Sequence, residues 1–216
     1  MLGDTIFNIM EWIGTISFAI SGTLVAISCS LDLFGVITVG CVTAVGGGII
    51  RDLLIGRIPP QIFFNPLILL VALLTSLSVF VFAYFNREKF NSLRERIERT
   101  NIFFDALGLA AFSVTGVEIA CESAYSGNIV LVITLGTFTG VGGGVLRDVL
   151  VNEKPYVLIK HIYAIASILG CVCYYVISFV FGYRVWGTIL AVGLTVAVRL
   201  LAAKYRWKLP KINLNQ

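Results

Sequence analysis

Histidine is all but missing from this chain and charge of either sign is scarce. There is one histidine, His161, and Asp, Glu, Lys and Arg together make up 13% of 216 residues. A lone histidine beside Lys160, with no acid near it, argues against a histidine-bound metal or a proton relay. Soluble domains carry about one quarter charged residues, so a chain this poor in charge and 58% hydrophobic cannot present an ordinary aqueous surface. The five cysteines, Cys29, Cys41, Cys121, Cys171 and Cys173, are odd in number and not paired in spacing, which excludes a disulfide framework and a zinc set. No His-Glu-x-x-His run, phosphate loop or serine with a placed base occurs, so an enzyme is not expected and no cofactor or metal is called for. The start, Met1-Leu2-Gly3-Asp4, has no basic flank, so the first apolar segment is expected to stay as a permanent span.

What fills the chain is apolar runs of about 20 residues, long enough to cross a bilayer as helices and without the period-two alternation of a membrane barrel. Spans are expected near 9–29, 34–54, 66–85, 102–121, 129–150, 157–181 and 186–203. The polar stretch 86–100 carries five basic and three acidic residues, and the C-terminal flank carries Arg199, Lys204, Arg206, Lys208 and Lys211 with no acid. Basic flanks stay in the cytoplasm, which puts the C-terminus inside and, after seven crossings, the N-terminus outside. That excess of basic residues is thereby explained by topology, and no nucleic acid is implied. Trp12, Trp186 and Trp207 stand where interfacial anchors belong.

The chain also repeats itself. Val45 to Asp52 reads Val-Gly-Gly-Gly-Ile-Ile-Arg-Asp and Val141 to Asp148 reads Val-Gly-Gly-Gly-Val-Leu-Arg-Asp, an offset of 96 shared by Thr43 with Thr139 and Pro59 with Pro155. Upstream the offset is 94, pairing Glu11 with Asp105, Gly14 with Gly108, Phe18 with Phe112 and Ser21 with Thr115. An odd number of spans per repeat turns the second half over, which gives two inverted repeats facing one another across the membrane. The expected architecture is an all-α integral membrane protein of seven helices. It comprises a three-helix repeat at 1–86, a charged cytoplasmic linker at 87–101, a second inverted repeat at 102–182, a seventh helix at 183–203 and a basic cytoplasmic tail at 204–216.

Three consecutive glycines in a spanning helix invite a kink or an unwound turn, whose free carbonyls or amides would attract an ion. Gly46, Gly47, Gly48, Gly142, Gly143 and Gly144 are therefore expected to line a path, although small residues also simply let helices touch. Thr43 and Thr139 share a helical face with the first glycine of each triplet. Their hydroxyls either line a hydrated path or bond back to the preceding turn. Arg51, Asp52, Arg147 and Asp148 belong at a membrane face, in a wet vestibule or in ion pairs. Adjacent positions do not face each other on a helix, so partners on other spans, Glu11 for the first half and Asp105 for the second, are expected. The stripe Gly14, Ser17, Ser21 with Gly108 and Ala111 suits helix contact and offers a surface for assembly.

The doubled Gly-Gly-Gly-x-x-Arg-Asp with its following proline resembles the prokaryotic members of the trimeric intracellular cation (TRIC) channel family, and the resemblance covers residues 5–203. It implies a homotrimer in a bacterial or archaeal cytoplasmic membrane, with a pore in each protomer along the second and fifth helices. Monovalent cations, chiefly potassium with sodium alongside, would pass the glycine triplets, and membrane lipid would surround the assembly. The basic lipid-binding segment of the animal members has no counterpart in Ser113 to Ser126, which holds Glu118 and Glu122 and no base, so phosphoinositide control is not implied. The same sequence domain is also known as a glycine transporter, and inverted repeats suit a carrier as well.

Overall fold

A computed structural model describes residues 2–88, 94–124, 126–159 and 162–207. Among them seven helices are long and apolar enough to cross a membrane. They are α1 (Leu2–Ser28), α2 (Leu33–Leu54), α3 (Pro66–Phe85), α4 (Arg94–Glu122), α5 (Ile129–Leu150), α6 (Ile162–Tyr175) and α7 (Arg184–Lys204). α4 begins inside the charged stretch expected to join the halves. The sixth span is a composite: a single turn at Tyr156–Ile159 precedes α6, which runs on into a π-helical segment at Val176–Val180. Lys160, His161, part of the linker and the basic tail beyond Trp207 lie outside the described residues.

The repeat shows in how its helices start and stop. Asp32 caps α2 by accepting from the Gly35 amide at 2.7 Å, and Asn128 caps α5 by accepting from Leu131 at 3.1 Å. Each helix ends in a Schellman turn, with Arg57 N–H donating to the Asp52 carbonyl and Glu153 N–H to that of Asp148, both at 2.8 Å. The left-handed residue of that turn is Gly56 in one half and Asn152 in the other, the two residue types that tolerate positive φ best.

α4 is the central helix and α3 the peripheral one, with 78% and 17% of their most apolar windows buried. α1 lies along both α2 and α4, α2 crosses α5, and α6 and α7 form a hairpin that packs on α4 and α5. The two halves thus meet through repeat mates, α1 with α4 and α2 with α5. The small-residue stripe is used inside the protomer and not at its surface: a Cβ on Gly14 would stand 2.9 Å from the Phe112 ring, and one on Gly108 would run into Phe18. Ser17, Ser21 and Ala111 are buried as well. Large apolar side chains such as Phe34, Phe82 and Val130 point outward, as lipid-facing residues do.

Candidate functional site

Both glycine triplets sit within continuous α-helix, so the unwound turn expected from the sequence does not form. The backbone of the partner helix covers the middle glycine of each triplet, and the helical hydrogen bonds are kept. A Cβ on Gly47 would strike the Thr139 carbonyl, and one on Gly143 would strike the Thr43 carbonyl. Gly142 lies against the Gly47 backbone, which a Cβ would meet at 3.3 Å. The third glycine of the first triplet is different, since a Cβ on Gly48 would find only Arg51, at 3.7 Å, whereas one on Gly144 would meet the Tyr163 hydroxyl at 2.7 Å. Gly47→Ala and Gly143→Ala are therefore each expected to lower stability by about 1–3 kcal/mol through overpacking. Gly48→Ala should instead be neutral or stabilising by up to about 1 kcal/mol of helix propensity. Thermal unfolding of the three variants in detergent checks the contrast; equal shifts would remove the close crossing as its cause.

Thr43 and Thr139 take the back-bonding alternative. Their hydroxyls donate to the carbonyls of Val39 and Leu135 at 2.6 Å and are fully buried. Behind them the crossing is closed by repeat mates, Phe18 and Phe112, whose rings lie 5.3 Å apart between centroids.

The Arg-Asp expectation needs correcting. Arg51 Nε donates to Asp52 at 2.9 Å and Arg147 Nε to Asp148 at 2.8 Å, so neighbours in sequence do pair. The last helical turn permits it. The second carboxylate oxygen is drawn towards the departing chain by a backbone N–H, that of Gln61 on Asp52 at 2.9 Å and that of Tyr156 on Asp148 at 2.8 Å. The long arginine stem then curls back to meet the first oxygen.

Beyond this shared core the two ends differ. At the second end Arg147 also donates to Asp105 and to Ser21, both at 2.7 Å, with no exposed side-chain surface. Ser21 in turn donates to Asn101 Oδ1 at 2.7 Å, Tyr163 donates to Asp105 at 3.3 Å, and Arg199 of α7 stands 3.6 Å from the other Asp105 oxygen. Two arginines thus face two aspartates in a buried cluster. At the first end Glu11 is only half-buried and, among the described residues, has no ion pair with Arg51. It lines an open cavity of about 60 Å³ with Thr15, Gly48, Arg51 and Asp52, and the cavity ends on Phe112. Asp105 is thus the partner that the repeat implied for Arg147, whereas Glu11 is a neighbour of Arg51 without bonding it. The sequence places Arg199 only in the basic C-terminal flank and does not single out Tyr163, since the repeat pairs neither with a residue of the first half.

The solved structure of the TRIC orthologue from Rhodobacter sphaeroides superposes with a TM-score of 0.83 at 30% identity, over 94% of this chain and 100% of that one. A chain solved for the structural basis of conductance through TRIC cation channels gives 0.82 at 35% identity, over 97% and 98%. A family model described as Glycine transporter matches twice, at residues 8–84 and 102–178. The UPF0126 inner membrane protein YadS of Escherichia coli (strain K12) is 36% identical over 209 residues, 96% of each chain. The chain belongs to the TRIC family, together with the UPF0126 membrane proteins. YvgT of Bacillus subtilis (strain 168) is a further UPF0126 relative, 33% identical over 94% of this chain and 95% of that one. The two family-model matches fall on the two halves of this TRIC protein.

Proposed function

We propose that each protomer conducts monovalent cations, potassium foremost, along a path between α2 and α5, and that three protomers assemble in the cytoplasmic membrane. The N-terminus would lie outside and the C-terminus inside, following the basic flanks. The observation that carries this reading is the crossing itself. Two helices meet at glycine backbone, a charged cavity leads to the meeting point from the Arg51 end, and a pair of aromatic rings closes it. A conducting path needs weak contacts that an ion leaves as easily as it meets them, and backbone carbonyls at the triplets are of that kind. The solved relatives described as TRIC cation channels support the same reading.

The family description as a glycine transporter favours a second reading, a carrier for a small amino acid. A carrier must grip an ammonium and a carboxylate and alternate its access. Arg51 with Asp52, and Arg147 with Asp105 and Asp148, are already engaged with one another, which leaves little for a zwitterion to hold. Purified protein in a planar bilayer under a potassium gradient is expected to give discrete current steps reversing near the potassium potential. Liposomes of the same preparation are expected to show no saturable glycine uptake. Ion-coupled, saturable uptake without unitary current would overturn the channel in favour of the carrier.

A further inference from the structure

Arg199 is a buried cation whose hydrogen bonds are not accounted for. It is 2% exposed, and its Nε and one terminal nitrogen have no acceptor among the described residues. Its approach to Asp105 at 3.6 Å is an ion pair too long for a hydrogen bond. The Tyr163 ring, 4.6 Å beneath the guanidinium, holds its plane. A planar guanidinium with vacant donors suits a phosphate group, whose oxygens accept from two N–H groups at once.

Arg199 also lines a groove of about 350 Å³ between the ends of α4, α6 and α7. Ile102, Ile159 and Ile162 form its apolar side, while Arg206 and Trp207 stand with Arg199 on the other; Glu98 is the single acid. The lining presents two guanidiniums and one carboxylate to a ligand, with Asp105 behind Arg199, which favours an anion, and the apolar wall favours one attached to hydrocarbon. Tyr205 and Trp207 stack at 6.4 Å just past the end of α7, the depth at which lipid headgroups meet aromatic side chains.

We propose that this groove binds the phosphate of an anionic phospholipid, held by Arg199 at its floor and by Arg206 at its rim. The site is separate from the α2–α5 crossing, and binding does not rest on the channel reading. Because Arg199 also faces Asp105, which holds Arg147, an occupied groove bears on the buried charged end through one shared side chain.

The test uses the full chain in nanodiscs, with Trp12→Phe and Trp186→Phe leaving Trp207 as the only tryptophan. Brominated phosphatidylglycerol is expected to quench Trp207 at a mole fraction about fivefold lower than brominated phosphatidylcholine, the preference one basic side chain near the headgroups confers. Arg199→Gln should abolish the preference, Arg206→Gln should weaken it, and Glu98→Gln should strengthen it. Arg206 is exposed, so its variant carries the test if Arg199→Gln fails to fold. Equal quenching by the two lipids, or a preference that survives both arginine substitutions, overturns the proposal. Inorganic phosphate added to phosphatidylcholine discs separates the sources. A saturable change in Trp207 emission without any preference for phosphatidylglycerol would also overturn the lipid assignment.

Discussion

Channels carrying Phe112→Ala are expected to stay open about tenfold more of the time than the parent protein. Phe18 and Phe112 are repeat mates brought together at the α2–α5 crossing, each seated over a glycine of the other's helix. A tilted aromatic pair is worth about 0.5–1.5 kcal/mol beyond its buried area, and the proposed path between α2 and α5 requires it to part. Losing that term shifts the closed state relative to the open one by about 1.4 kcal/mol at most, which is a factor of about ten. The same substitution costs about 3–5 kcal/mol of global stability, so thermal unfolding must first show that the variant is folded. Phe112→Trp should act the other way, by adding ring area at the same place. Single-channel recording in potassium decides the matter; a folded Phe112→Ala protein with the parent's open probability would take the rings out of the conduction path.

Asp105→Asn is expected to be far more damaging than Glu11→Gln, although the two acids are counterparts in the repeat. Asp105 is completely buried and answers two guanidiniums, Arg147 at 2.7 Å and Arg199 at 3.6 Å. Removing its charge leaves two buried cations facing Asp148 alone, and breaking a buried pair in this way costs about 3–5 kcal/mol. Glu11 is half-buried at an open cavity, where solvent screens what it contributes, so its loss should cost about 1 kcal/mol or less. Adding Arg147→Met to Asp105→Asn should recover part of the loss, because the stranded charge goes with it. Thermal midpoints in one detergent provide the comparison. Equal losses at Glu11 and Asp105 would mean that the two charged ends are equivalent after all.

The seven helices and the inversion could be read from the chain because they follow from one-dimensional quantities: run length, charge position and a repeated string. The span ends at Leu54, Phe85 and Leu150 came out of apolar run length, and the structure adds the caps at Asp32 and Asn128. The pairing of Arg147 with Asp105 was also within reach, since the repeat aligned Asp105 with Glu11 and left both without an obvious partner. Other features were out of reach for particular reasons. The pairing of Arg51 with Asp52 depends on where the following loop puts the Gln61 amide, and helical spacing alone argues against it. The continuous helix through each triplet depends on the other triplet, because the partner helix covers the backbone at Gly47 and Gly143.

Amino-acid order alone determined that this is a membrane protein of two inverted halves, because hydropathy and repetition act locally and add along the chain. Only the tertiary structure decided that those halves are chemically unequal. The seventh helix, which has no mate in the repeat, carries Arg199 to Asp105 and adds a second cation to one charged end, while the same position around Glu11 lines an open cavity. The contact lies between residues 94 positions apart on helices from different parts of the chain, and no periodicity in either segment encodes it.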